Sequence, residues 1–279
     1  MKKYEFTGKK KSAFGHTLNQ IRAVRDFGEV SAGDIGGWIE NEDNLSHDDN
    51  AWVYNDALVY GNAQVYGDAL VSGNALVSGE AQVSGDAHVY GDSHVYGDSQ
   101  VCNEAQVYGN AQVSGDAMVY GNARVSGKAQ VYDNAWVYGE ALVSGEVHVS
   151  GDAQVYDNAK VSGEAQVYGE AQVYNEAQVS GNAHVYGEVH VYGNARVSGD
   201  AMVSDNADFA IVQGFGSAFR STTFFHCSDE RIRTQCGCFY GDLEEFRLKV
   251  KEAHGESKIA KEYLMIADLM EMHFSKDKG

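Results

Sequence analysis

The chain has 279 residues, a formal net charge of −19 and no proline. That length suits one long repeat array with two small ends, and the acidic balance argues against direct contact with nucleic-acid phosphates. There is no 18-residue apolar run, which excludes a transmembrane helix, and four cysteines do not make a disulfide framework.

Charge is distributed unevenly. Residues 1–27 carry seven Lys/Arg and two acids, residues 28–208 four and 27, and residues 209–279 ten and 11. The N-terminal Met-Lys-Lys-Tyr-Glu-Phe-Thr-Gly-Lys has no apolar core for a signal peptide, and a reducing cytoplasm is expected. Residues 1–27 read as a β cap, with Tyr4–Thr7 and Thr17–Phe27 flanking a turn-rich Lys9-Lys10-Lys11-Ser12-Ala13-Phe14-Gly15. The open end of a repeat array exposes unpaired strand edges, and basic residues there protect the edge.

Three stretches, Leu18–Phe27, Val30-Ser31-Ala32-Gly33-Asp34-Ile35-Gly36-Gly37-Trp38-Ile39-Glu40 and Asn44-Leu45-Ser46, carry a resemblance. They are similar to the N-terminal segment of YdcK-type proteins, uncharacterised hexapeptide-repeat proteins described as acetyltransferases. The same segment resembles one found in phage and prophage repeat proteins, and the resemblance implies that residues 28–52 form the first irregular coils, with Trp38 and Ile39 packing into them.

From Val53 to Val203 a valine falls at every sixth position, 26 in all, with no insertion or deletion. The unit is Ala-x-Val-(Tyr/Ser)-Gly-(Asp/Asn/Glu). A fixed period of this kind marks a solenoid whose units bury their apolar faces only against neighbours. Ala and Val point to one side of a short strand, x and Tyr/Ser to the other. Gly supplies the turn. It is replaced only by Asn55, Asn103, Asp133, Asp157, Asn175 and Asp205, the residue types that best tolerate positive φ. The Ala position varies only to Ser93, Ser99, Val147 and Val189, so there is little room inside.

This signature resembles the hexapeptide-repeat family. The resemblance implies a left-handed parallel β-helix with three hexads, 18 residues, per triangular coil. Twenty-six hexads then make roughly nine coils and, at about 4.8 Å per coil, a rod roughly 40 Å long. The expected class is an all-β solenoid over 28–208, with a β cap over 1–27 and a small α+β domain over 209–279.

Residues 18 apart stack. One outward column holds Tyr120, Tyr138, Tyr156, Tyr174 and Tyr192 in an unbroken run, beside Met118 and Trp136. Such a run either stabilises the stack or serves as a partner-binding surface, since aromatic strips are enriched at interfaces. Another face carries Ser126, Ser144, Ser162, Ser180 and Ser198 instead. Acids stack as well, Glu80 with Asp98 and Asp116, and Asp152 with Glu170 and Glu188. They splay into water or hold a cation weakly. The rod's acidity serves solubility or mimics nucleic-acid phosphates.

Residues 209–279 read as a hairpin, Thr222–Cys227 and Ile232–Cys236 around Ser228-Asp229-Glu230, followed by two helices. Asp242 and Glu245 form a capping-box start. Leu243, Phe246, Val250 and Ala253 line the first helix, which ends at Gly255. Tyr263, Ile266, Ala267, Met270 and Phe274 line the second, from about Ser257 to Phe274. The Cys236-Gly237-Cys238-Phe239 stretch resembles a small module that follows repeat arrays in phage proteins.

The hexapeptide resemblance suggests acyl transfer, a weak warrant when it rests on fold alone. Such enzymes interrupt the helix with a long loop and use a histidine base at a trimer interface; this rod has no such loop. His88, His94, His148, His184 and His190 all occupy the x position, shared with Gln, Leu, Arg and Met, and read as surface residues. His94, His148 and His184 share a face without being adjacent. Cys227, Cys236 and Cys238 could ligate zinc with His226 or His254, but Cys-x8-Cys-x-Cys is not a standard spacing, and reduced, partly buried thiols fit better. No triad, phosphate loop or nucleotide fingerprint appears, and no catalytic residue or cofactor is assigned. The reading leans to a non-enzymatic binding scaffold of phage or prophage type, with a protein partner, no membrane, and a homo-oligomer left open. The alternatives are a hexapeptide-repeat acetyltransferase and a phage anti-defence protein acting by mimicry or sequestration.

Overall fold

The computed structural model describes residues 2–216 and 219–275. Each hexad contributes a two-residue strand, x and Val, and strands three hexads apart pair in parallel register. Three parallel arrays result. One has eight strands, from Gln64–Val65 to His190–Val191, and one has nine, from Trp52–Val53 to Arg196–Val197. The third forms most of a twelve-stranded sheet that continues into the N-terminal cap. The protein is therefore a β-solenoid of about nine coils.

The ladder explains how so short a strand holds. Gln154 N donates to Ala171 O at 2.9 Å and Tyr156 N to Val173 O at 2.9 Å, and the same pair of bonds recurs coil after coil. Every repeat valine from Val53 to Val203 is fully buried. Each contributes about 1.5–3 kcal/mol of burial, an upper bound because unfolded chains already bury some surface. Ser93 and Ser99 replace alanine without loss because their hydroxyls donate to Tyr90 O (3.0 Å) and Tyr96 O (2.9 Å).

Asn55, Asn103, Asp133, Asp157 and Asn175 adopt φ of 54°, 60°, 59°, 56° and 58°, as the hexad turn demands. Asp205 does not; its φ is −139°. The repeat ends there, and Asp205 instead caps a short 3-10 helix, Asn206–Asp208, accepting from Ala207 N at 2.9 Å.

The cap also differs in detail from the sequence reading. The first strand runs from Tyr4 to Ala13, so Lys9-Lys10-Lys11-Ser12-Ala13 is strand and only Phe14-Gly15 turns, with φ of 51° and 83°. Pairing with His16–Ala23 carries Lys10 and Lys11 into the ladder, beyond a bulge that follows Phe6. Of the expected pair Trp38 and Ile39, Ile39 is fully buried but Trp38 faces outward, with Lys11 Nζ 4.5 Å from its ring centre. Strand alternation over Ile35–Ile39 puts the two on opposite sides. The buried tryptophan of this end is Trp52, against Tyr4, Phe27 and Tyr54.

The C-terminal sheet has four antiparallel strands, Phe209–Phe215, Arg220–His226, Ile232–Cys236 and Phe239–Asp242, rather than a lone hairpin. One side of it closes the rod. Phe209, Phe225 and Cys227 join the solenoid core, and Ala201 bridges to Cys227. The other side packs on α1 (Leu243–His254) and α2 (Lys258–Phe274), with Phe224 among Phe246, Tyr263 and Met270. Asp242 and Glu245 complete the expected capping box. Ala253 is exposed, because the buried face of α1 ends at Val250.

Candidate functional site

The stacked columns place Met118 and Trp136 in paired strands of the eight-stranded sheet, with Tyr120, Tyr138, Tyr156, Tyr174 and Tyr192 along its edge. Centroids of Tyr120, Tyr138, Tyr156 and Tyr174 are 4.8, 4.8 and 5.0 Å apart, with rings within 2° of parallel. Tyr192 ends the stack at 5.7 Å, tilted by 21°. Burial, aided by Tyr120 and Tyr156, pushes the Tyr138 phenol up to about 12, and burial also raises Tyr120 and Tyr156. These hydroxyls are therefore neutral at physiological pH and act only as hydrogen-bond groups.

Part of this column is tied down by glutamines. Tyr66, Tyr138 and Tyr156 each donate to the Oε1 of the glutamine 16 residues on, at 3.1, 3.2 and 3.1 Å. For Tyr120 that position is Trp136. It offers no acceptor and remains 39% exposed. Trp136 thus replaces the glutamine that serves Tyr138 and Tyr156, as His190 does beside Tyr174, and it sits centrally beside Met118. A half-exposed indole on a rigid, flat aromatic strip is suited to being covered by an apolar partner group.

The other candidate residues are dispersed. His148, His184 and His190 each present an edge contact to a tyrosine, at 6.2–6.4 Å from Tyr132, Tyr168 and Tyr174. The strands of His94 and His148 are separated by those of Gln112 and Gln130, and a glutamine strand separates His148 from His184. Glu80, Asp98, Asp116, Asp152, Glu170 and Glu188 are exposed members of one column, interrupted by Asn134, whose amide donates to Asp152 at 2.9 Å. Cys227 belongs to the rod core, Cys236 packs beside the helices and accepts from Thr222 Oγ1 at 3.2 Å, and Cys238 is exposed. Burial raises the Cys227 thiol, which disfavours the thiolate that a metal needs. Among the described residues, no three His, Cys, Asp or Glu are grouped to hold a metal ion.

One surface was missed by sequence reasoning. Leu248 on α1 and Met265, Leu269 and Met272 on α2 are 50–71% exposed. Their spacing on α2, i, i+4 and i+7, was readable as a second apolar stripe beside the buried one.

A long parallel ladder, two dissimilar closed ends and outward side-chain columns define a capped β-solenoid repeat protein. A family model described as YdcK Beta solenoid repeat matches residues 63–79, 81–97, 111–127, 129–145, 153–169 and 177–193. The protein named Uncharacterized acetyltransferase YdcK, from Escherichia coli (strain K12), is 43% identical over 51 residues. That match spans 18% of this chain and 15% of the relative. The chain is a repeat β-helix protein resembling YdcK. No helix among the described residues is long and apolar enough to cross a membrane.

Proposed function

We propose that the protein is a non-enzymatic binding scaffold, of the kind phage and prophage repeat proteins supply, in which the rigid rod presents its aromatic face to a protein partner in the cytoplasm. The observation that carries this reading is Trp136. Tyr138 and Tyr156 are fastened to Gln154 and Gln172, whereas Trp136 stands where Tyr120 would need such an acceptor and leaves an indole 39% exposed. Met118 lies on the strand paired with it, and Tyr120, Tyr138, Tyr156, Tyr174 and Tyr192 form the stacked column alongside. The exposed stripe of Leu248, Met265, Leu269 and Met272 gives the C-terminal domain a second apolar surface.

The test is capture from bacterial lysate on wild-type protein and on Trp136→Ala/Tyr138→Ser. A partner held by the wild type and lost by the double variant is the expected result. A partner retained equally by both would remove the aromatic face from the proposal and direct attention to the C-terminal stripe.

A second reading, acyl transfer, draws on the name of the YdcK relative. It would need a trimer with a histidine base at the subunit interface. Calorimetric titration with acetyl-CoA, alongside the sedimentation mass, separates the two readings. A trimer that binds acetyl-CoA favours the enzyme. Sequestration of a host defence factor is a version of the scaffold reading in which the partner captured belongs to the host.

A further inference from the structure

Between residues 28 and 208 the four cations are Arg124, Lys128, Lys160 and Arg196. Three of them, Arg124, Lys160 and Arg196, take the outward mid-strand position of the nine-stranded sheet. Their strands are two coils apart, with Leu142 and Gln178 between. Two residues before each of these positions lies the edge column Glu104, Asn122, Glu140, Asn158, Glu176 and Asn194. It alternates in step with the first. From Gln106 to Arg196, asparagine precedes every cation and glutamate every neutral strand.

The face therefore repeats positive coil, negative coil, with like charges about 10 Å apart. All six charged side chains are exposed, and no ion pair among the described residues uses any of them. Lys128, on a different face, is by contrast paired with Glu146 at 2.6 Å. Asn122, Arg124, Glu140, Leu142, Lys160 and Glu176 line a shallow groove along this face. From Glu104 to Arg196 the two columns carry three cations and three acids, whereas the corresponding columns of the eight-stranded face carry five acids, Asp98, Asp116, Asp152, Glu170 and Glu188, and no cation. In a chain of net charge −19, this stretch of the nine-stranded face is locally neutral, with Asp68 and Asp86 lying before it.

The geometry points to a second copy of this chain as the occupant of that face, docked antiparallel about a two-fold axis that crosses it between Leu142–Val143 and Lys160–Val161. That axis sends each cationic coil onto an acidic one. Lys160 of one copy reaches Glu140 of the other, Arg124 reaches Glu176, and Arg196 reaches Glu104, each pair occurring twice. Lateral position is preserved across such an axis, so each pairing is diagonal, by two residues, within reach of a Lys or Arg side chain. Leu142 packs near the centre. A two-fold parallel to the rods would set like charges against each other. A parallel shift by one coil would match the charges but would not close, and would grow into filaments. Complementary alternation selects the register more than it adds affinity, because exposed ion pairs are individually weak.

Sedimentation velocity of the full chain tests this at low and high salt. A dimer is expected at low ionic strength, weakening as salt screens the exposed pairs. Lys160→Glu and Glu140→Lys should each weaken the dimer about tenfold or more, since each juxtaposes like charges twice. The Lys160→Glu/Glu140→Lys double variant, which exchanges the two partners, should dimerise as the wild type does. Lys128→Glu makes the same charge change elsewhere and should leave the dimer intact. A monomeric wild type at low salt overturns the inference. So do single variants that dimerise normally, a double variant no better than the singles, or a Lys128→Glu chain as impaired as Lys160→Glu. Should Lys160→Glu fail to fold, Arg124→Glu with Glu176→Lys asks the same question at another pair.

Discussion

The hydroxyl of Tyr138 donates to Oε1 of Gln154, on the adjacent strand, at 3.2 Å. The bond joins the edge column to the mid-strand column, so the aromatic face is a cross-linked surface rather than a row of separate rings. Tyr120 lacks such an acceptor because Trp136 stands in its place.

Trp136→Gln therefore supplies the missing acceptor. Expected is a stability equal to or up to about 1 kcal/mol above wild type, the net value of one hydrogen bond, together with loss of any partner captured through this face. Thermal unfolding and lysate capture read the two effects separately. A variant destabilised by more than about 1 kcal/mol would mean that Trp136 serves the rod itself.

Turn glycines differ in what a side chain would meet. At Gly145 (φ 98°) an added Cβ would lie 2.5 Å from Gly163 O, whereas at Gly193 (φ 63°) nothing lies within 4 Å. Gly193→Ala should cost about 1–2 kcal/mol, the left-handed backbone penalty alone. Gly145→Ala should cost clearly more, because two coils must also separate. Equal denaturation midpoints for the two variants would contradict the close stacking of coils.

Val131→Asp places an unpaired carboxylate in the fully buried core. The cost is several kcal/mol. Each coil contacts only its neighbours, so disorder should start near residue 131 and spread. Hydrogen exchange mapped along the chain would show this as a protection minimum centred on the coils around Val131. Uniform loss of protection over the whole rod would point instead to fully cooperative unfolding.

Lys3 is fully buried beneath the cap and donates to Asp48 O at 3.1 Å and Asp49 O at 3.4 Å. Burial lowers its pKa to about 8, with Asp49 opposing the shift. The folded value lies below the unfolded one. Below pH 8 both states hold the proton and the full cost of burying the charge is present. Between about 8 and 10.5 the unfolded chain binds more protons, so stability rises with pH. The contribution of Lys3 to the melting temperature should increase from pH 7.5 to 9, and Lys3→Met should remove that increase. Identical pH profiles for variant and wild type would show that Lys3 does not carry it.

The repeat was legible in the sequence because a hexad specifies its own backbone. Ala and Val at alternate positions fix the inward face, and a glycine, asparagine or aspartate fixes the turn, so Val53 to Val203 could be threaded without reference to any distant residue. Asp205 marks where that logic stops. The residue type fits the turn, but no further coil follows, and its side chain caps Asn206–Asp208 instead. The cap and the C-terminal sheet were less legible because long-range pairing decides them. Lys10, Lys11, Ser12 and Ala13 became strand only by pairing with Asn19, Leu18, Thr17 and His16, and Phe225 and Cys227 close the rod only because the fold brings the C-terminal sheet onto it, Cys227 bridging Ala201.

The candidate faces divide in the same way. An 18-residue spacing sufficed to align Met118 with Trp136 and Tyr120 with Tyr138, since a solenoid converts sequence period directly into spatial adjacency. What the tertiary structure alone decided is which side chains found partners. Whether a tyrosine hydroxyl reaches a glutamine, whether Lys128 closes on Glu146 while Arg124 and Lys160 stay unpaired, and whether Met265, Leu269 and Met272 are covered all depend on side-chain reach and on the elements packed alongside. The composition of the hexad determines the rod's core and turns, but it carries no information about those distances.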